Sequence, residues 1–271
     1  RDEGLVNSNE PFLNLLTQGM VLKDGAKMSK SKGNTVSPQS MIKQYGCDAV
    51  RFFIIFAAPP EQDLEWSDTG IEGAYRFLRK LWQLAQEQKN NITQNTISSK
   101  GSISQFDDKS AQKIHCQIHK ELQRITYDIE RKHFNTVASG AMKLLNIAQS
   151  INPTLEHADS LMLELISIIL RVLSPITPHI CHHLWKSLEF EGDILNAGWP
   201  KVNPKALIQD EIEVIVQVNG KRRTSITIKA DESNERIEEI VKNNKKLQPH
   251  IAGKTIKRFI IVPKRLINIV V

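Results

Sequence analysis

The sequence predicts a mainly α-helical protein that ends in a small α+β unit. Three observations carry this prediction. Apolar residues recur at spacings of three and four along long stretches between residues 68 and 189. Trp199-Pro200 and Pro204 then break the pattern. Beyond them the period changes to two, with Ile212, Val214, Val216 and Val218 alternating ahead of an Asn219-Gly220 turn pair.

Residues 19–23 are short and apolar, and Asp24-Gly25 marks a tight turn. A polar, lysine-rich loop follows at 26–34. Ser37 as N-cap and Pro38 in the first turn start a short helix that ends near Gly46. Asp48 is expected to cap the next apolar helix, Ala49 to Ala57, which Pro59-Pro60 stops. Asp68 to about Gln88 reads as a long amphipathic helix through Ile71, Ala74, Phe77, Leu78, Leu81, Trp82 and Ala85. Residues 89–106 are poor in apolar side chains and rich in Asn, Gln, Ser and Thr, the composition of a loop between two helices. Helical patterns resume at about 108–130, 133–150, 156–173 and 178–189, which completes an antiparallel bundle of about five helices. In the last quarter, Glu211 to Val218 and Thr224 to Lys229 form a hairpin. Ser233 caps a helix to about Asn243, and Ile256 to Val262 and Leu266 to Val271 are two more short strands. No internal repeat interrupts this order.

Composition excludes several classes. With 271 residues, 40% hydrophobic and 24% charged, the chain buries a sizeable core, so it is neither a disulfide mini-protein nor a disordered tail. No run of about 18 apolar residues occurs, so no membrane-spanning helix is expected; Leu161 to Leu173 is short and broken by Glu164 and Arg171. The polar start, Arg1 to Glu10, has no apolar core of a secretory signal. Cys47, Cys116 and Cys181 are odd in number and far apart, which points to free thiols in a reducing, cytoplasmic setting. The net charge of +6 is unevenly spread: residues 1–209 carry +1 and residues 210–271 carry +5. From Lys242 onward there are eight Lys/Arg and no carboxylate side chain. A basic tail of this kind suits a phosphate backbone or is a solvated face, and charge alone leaves both open.

One motif carries chemistry. Residues 27–31 read Lys-Met-Ser-Lys-Ser, followed by Lys32-Gly33-Asn34. Two lysines three apart, with small hydroxyl residues between, suit a loop that grips a polyphosphate. The ammonium groups neutralise a leaving pyrophosphate, and Ser29 and Ser31 add hydrogen bonds. Five residues in isolation are a weak pattern, equally at home in a surface loop. Here a short strand and a turn precede them, a capped helix follows, and Tyr45-Gly46-Cys47-Asp48 and Arg51 come next.

In that ordered combination the sequence resembles the class I aminoacyl-tRNA synthetases, and among them the leucine enzymes of bacterial type. The second class signature, KMSKS, stands unaltered at residues 27–31. The leucine assignment rests on Phe56-Ala57-x-Pro59, Leu64-Glu65-Trp66, Glu72 to Leu78, Val218-Asn219-Gly220-Lys221 and the apolar end Leu266 to Val271. The resemblance covers essentially the whole chain, most weakly at 89–110. It implies three parts. Residues 1–66 form the end of a Rossmann-type catalytic domain with the KMSKS loop. Residues 67–203 form a helical bundle of the anticodon-binding-domain fold. Residues 204–271 form a small α+β tRNA-binding domain. The first class signature, HIGH, is absent: Pro178-His179-Ile180 and Pro249-His250-Ile251 do not supply it. The chain is therefore expected to be a C-terminal portion, with the nucleotide-binding sheet and the editing domain in an upstream half, and unable to form leucyl-adenylate by itself.

The resemblance further implies activation of leucine by ATP, with Mg2+ accompanying the nucleotide, and transfer to tRNA(Leu). Lys30 and then Lys27 are the catalytic candidates, with Met28, Ser29, Lys30 and Ser31 holding ATP, Met28 and Ser29 through main-chain groups. Arg76, Arg79 and Lys80, spaced three and four apart on one helix face, are tRNA candidates. So are Lys221, Arg222 and Arg223 beside the hairpin, and Lys264 and Arg265 between two strands. No metal or membrane partner is expected. His179 and His183 have a workable ligand spacing, yet with Cys181 and His182 they read as an ordinary bundle helix. Asp107-Asp108 and Glu238-Glu239 read as helix-start and surface charges, and Trp66, Trp82, Trp185 and Trp199 as packing. Two other readings stay open: a non-catalytic tRNA-binding module related to synthetases, and a fragment of a valine- or isoleucine-type enzyme.

Overall fold

A computed structural model describes residues 1–10, 12–91, 106, 108–208, 211–229, 232–254, 256–262 and 266–271. The chain is a helix-rich α+β protein and divides into two compact units, Arg1–Ala206 and Leu207–Val271.

The first unit opens with a three-stranded patch. β1 (Val21–Lys23) pairs antiparallel with β2 (Ala26–Lys27) and parallel with β3 (Leu64–Glu65), in the order β2-β1-β3. Asp24 and Gly25 both adopt positive φ (54° and 71°), the twist a two-residue hairpin needs. Gly19 is packed so tightly that a Cβ there would lie 2.1 Å from the Gln62 carbonyl oxygen. Two helices separate β1–β2 from β3: α1 (Pro38–Tyr45), capped by the Ser37 side chain, and α2 (Cys47–Ala57). The residue at the N-cap of α2 is Gly46, with no side-chain cap, and not the expected Asp48. The Asp48 carboxylate points instead to another helix, because the bundle offers it two donors there.

The bundle comprises α3 (Asp68–Asn91), α4 (Lys109–Glu130), α5 (Phe134–Ser150), α6 (Ala158–Leu173) and α7 (Pro178–Ser187). The boundaries fall within about three residues of those the apolar spacing predicts. The segment expected as a loop, 89–106, lies mostly outside the described residues; its first three residues extend α3. Helix α6 is apolar nearly all round, with Leu161, Leu165, Ile166, Ile169, Leu170 and Leu173 at 0% exposure, so it is the central helix of the bundle. The same core takes in Phe52 and Phe53 of α2, so residues on both sides of position 66 share one apolar interior. At Gly140 of α5 a Cβ would sit 2.4 Å from Ile125 of α4, so this glycine lets the two helices approach closely.

Among its described residues the second unit has two helices and four strands, β4 (Glu211–Val218), β5 (Lys221–Lys229), β6 (Arg258–Val262) and β7 (Leu266–Val270), in one sheet of order β5-β4-β7-β6. β4 and β5 form the expected hairpin, with Asn219 and Gly220 at φ 50° and 76°. β5 starts three residues earlier than its alternation suggests, because Lys221 and Arg222 pair with Val218 and Gln217. β7 runs parallel to β4 and antiparallel to β6. α8 (Asn234–Lys242) carries the expected Ser233 cap, and a single turn, α9 (Gln248–Ile251), is added. Val214, Val216, Ile237, Val241, Leu247, Ile267 and Ile269 make a separate core. Among the described residues no helix is long and apolar enough to cross a membrane.

Candidate functional site

The loop of residues 27–34 springs from the end of β2 and is built largely by its own side chains. The Met28 N–H donates to the Val21 carbonyl (3.2 Å) and extends the hairpin by one bond. Ser29 then N-caps a single 3₁₀ turn, Lys30–Lys32: its Oγ accepts the Lys32 N–H (3.3 Å) and lies 3.2 Å from the Ser31 Oγ. Gly33 closes the turn at φ 66°, a left-handed conformation that a side chain would strain. Asn34 reaches back across the loop: its Oδ1 accepts the Ser29 N–H (2.9 Å) and its Nδ2 donates to the Lys27 carbonyl (3.2 Å). Lys27, Lys30 and Ser31 are exposed, and Met28 and Ser29 are half-buried. The loop thus brings all five expected residues together and offers three cations, Lys27, Lys30 and Lys32, and the Ser31 hydroxyl to solvent. The main-chain N–H groups of Met28 and Ser29 are already engaged, the first by Val21 of β1 and the second by Asn34.

Arg76, Arg79 and Lys80 emerge from one exposed face of α3, opposite the buried Phe77, Leu78 and Leu81. Glu72 approaches Arg76 at 3.8 Å, an exposed pair of little energetic weight. Arg79 lines a cleft of about 480 Å3 with Tyr45, Asp48, Tyr75, Leu78, Trp82 and His179. Trp82 is 37% exposed and stacks on His183 at 4.9 Å, so it packs at the surface and not in the core. In the second unit Lys221, Arg222 and Arg223 are exposed on the edge strand β5. The register slips between Val216 and Gln217, which leaves Arg223 as the extra residue of a β-bulge. Lys264 and Arg265 lie outside the described residues.

The discounted histidines are each engaged elsewhere. His179 Nδ1 lies 2.8 Å from the Asp48 Oδ1, and the Ile180 N–H donates to the Asp48 Oδ2 (2.7 Å). Cys181 is buried beside Thr177, and burial pushes its thiol up to about 12. A cluster with ligand-type groups exists where no sequence signal pointed, at His115, His119 and Glu164. The His119 Nε2 lies 3.0 Å from the His115 Nε2 and 3.1 Å from the Glu164 Oε1. His115 and His119 share a face of α4 four residues apart, but Glu164 comes from α6, and no local pattern joins the two. The Asn203 N–H donates to the His119 Nδ1 (3.1 Å), so the neutral ring carries its proton on Nε2, the atom a metal ion would need bare. The three side chains form a buried cluster of two imidazoles and a carboxylate, in which the Glu164 Oε2 has no hydrogen-bond partner of good geometry among the described residues.

Comparison with known proteins places this geometry in a family context. Residues 5–67 match the family described as tRNA synthetases class I (I, L, M and V), and residues 111–242 match the anticodon-binding domain of tRNA ligase. Over its full length the chain is 55% identical to leucine–tRNA ligase of Coxiella burnetii (strain CbuK_Q154) and covers 33% of it. It is 48% identical over 272 residues to leucine–tRNA ligase of Ruthia magnifica subsp. Calyptogena magnifica, again covering 33%. A crystal structure of Agrobacterium radiobacter K84 agnB2 LeuRS, in a ternary complex with tRNA and LeuAMS, superposes with a TM-score of 0.82 at 26% identity. That match covers 99% of this chain and 35% of that one. The chain spans about a third of the length of the curated relatives it matches.

Proposed function

We propose that this chain, homologous throughout its length to the C-terminal portion of leucine–tRNA ligases, supplies the KMSKS loop and the tRNA-binding surfaces of such an enzyme. The observation that carries the reading is the loop of residues 27–34, self-built and presenting Lys27 and Lys30 to solvent at the end of a short strand. A module that only bound tRNA would not need it.

In the whole enzyme the leucine carboxylate attacks the α-phosphorus of ATP, pyrophosphate leaves, and the leucyl group passes to the terminal ribose of tRNA(Leu). Negative charge builds on the leaving phosphates. On this reading the Lys30 ammonium meets that charge first and Lys27 second, and the Ser31 hydroxyl adds a hydrogen bond. With the Met28 and Ser29 N–H groups already engaged, contact with ATP falls first to these side chains. Mg2+ would travel with the nucleotide and lower the charge the lysines must offset.

Three parts divide the work on this reading. Residues 1–66 close a Rossmann-type catalytic domain, and the parallel β1–β3 pair suits the edge of such a sheet. Residues 67–203 form the anticodon-binding-type bundle, with Arg76, Arg79 and Lys80 facing tRNA. Residues 204–271 form the C-terminal tRNA-binding domain, with Lys221, Arg222, Arg223, Lys264 and Arg265 on phosphates. The remainder of a full-length enzyme would supply the leucine pocket and editing. The test is Lys30→Ala in the full-length enzyme. Leucine-dependent ATP–pyrophosphate exchange is expected to fall roughly 10²-fold or more, about 3 kcal/mol of transition-state stabilisation. An unchanged rate would remove Lys30 from the mechanism.

A further inference from the structure

We propose that Asn34, which lies outside the five-residue signature, is the positioning residue of the loop: it holds the main chain that carries Lys27 and Lys30 in the geometry their chemistry needs. The proposal rests on the reading of this loop as an ATP-handling element.

The loop's geometry singles out Asn34. It is half-buried in a segment where Lys30 to Gly33 are all exposed. Both ends of its amide are used. The Oδ1 accepts the Ser29 N–H at 2.9 Å, and the Nδ2 donates to the Lys27 carbonyl at 3.2 Å, with the Ala26 carbonyl at the limit of reach, 3.5 Å. One side chain therefore ties residue 34 to residues 27 and 29 and closes the loop into a ring. Inside the ring the Ser29 hydroxyl caps the turn that bears Lys30, and Gly33 at φ 66° turns the chain so that Asn34 faces back. Only a side chain with a donor and an acceptor on one short, planar group can make both bonds at once. Aspartate keeps the acceptor and loses the donor, and alanine loses both.

Lysine side chains are flexible, so their value as charge donors depends on a fixed base. Freeing the main chain at Lys27 and Ser29 would leave both ammonium groups on a loose loop, and misplacement of about 1 Å costs on the order of 10²-fold in rate. Asn34 touches no reacting atom on this account and acts through Lys30 and Lys27.

The test uses the full-length enzyme and leucine-dependent ATP–pyrophosphate exchange, with Asn34→Ala and Lys30→Ala made singly and together. Asn34→Ala is expected to lower kcat about tenfold or more, with the KM for leucine unchanged and the melting temperature within a degree or two of the wild type. Asn34→Asp should fall between wild type and Asn34→Ala. In the Lys30→Ala background the same Asn34→Ala change should cost less than about threefold, because the first of the two lysines it positions is gone and only Lys27 is left for it to hold. An unchanged kcat for Asn34→Ala would overturn the proposal. So would an equal loss in both backgrounds, which is what general loosening of the fold would give. A wild-type enzyme with no leucine-dependent exchange would overturn the reading of the loop itself, and is thereby distinguished from failure of Asn34 alone.

Discussion

The charge of Glu164 depends strongly on its neighbours. Burial, the largest single influence, pushes its carboxyl upward. The hydrogen bonds from His115 and His119 and the electrostatic influence of the pair together outweigh burial and bring it from 4.5 down to about 2. The guanidinium of Arg171 also lies within electrostatic range. A folded value below the unfolded one means the cluster's stabilisation is complete above about pH 4.5 and fades as the pH falls toward 2. Its size is up to about 3 kcal/mol. Thermal melts of the wild type should drop across that window, whereas Glu164→Gln should start lower at neutral pH and show a flatter profile there. Parallel profiles would mean that the carboxylate does not titrate with folding. Residue chemistry of this kind was half legible. The lysines and serines of the signature declare themselves by type and spacing. The His115–His119–Glu164 cluster needs two helices to meet, and no local pattern announces that.

At the scale of elements, the helices follow from apolar spacing and from small caps such as Ser37, Asp108 and Ser233, each of which accepts the expected N–H. Asp48 is the instructive exception. It sits in the first turn of α2, yet it receives the Ile180 N–H and faces His179 at the start of α7, 132 and 131 residues away. Arg51 acts similarly, donating from Nε to the Ile176 carbonyl and from its terminal nitrogen to the Pro175 carbonyl, beyond the end of α6. These two side chains stitch the segment after the signature loop to the bundle. Asp48→Ala should therefore destabilise by about 1–3 kcal/mol by stranding the partly buried Ile180 N–H. A loss of only a few tenths, as for an exposed residue, would contradict the capping role. An acidic cap at this position is legible in the sequence; which helix it caps depends on packing that brings α7 against α2.

At the scale of the whole molecule, two units carry separate cores, and the charge excess of +5 falls in residues 210–271. If the basic edge of β5 lies on phosphate, replacing Lys221, Arg222 and Arg223 together by alanine should weaken tRNA(Leu) binding. It should also make the slope of log affinity against log salt shallower, by up to about 0.9 for each phosphate no longer neutralised. A slope identical to that of the wild type would return these residues to the role of a solvated face.

Most of the longer elements and their order were legible in the chain alone, because apolar periodicity, turn chemistry and caps act over a few residues; the two-residue strands β2 and β3 and the single turn α9 were not. The resemblance to leucine enzymes was legible too, since side-chain order is kept where the chemistry is local. Packing settled the rest: that Asp48 caps α7, that Arg223 sits in a bulge, that Trp82 lies against His183 at the surface, and that His115, His119 and Glu164 share a buried site. Apart from the bulge, which the hairpin register decides, each of these depends on groups that come together only when distant segments pack, and the buried cluster is strengthened because water is excluded from it.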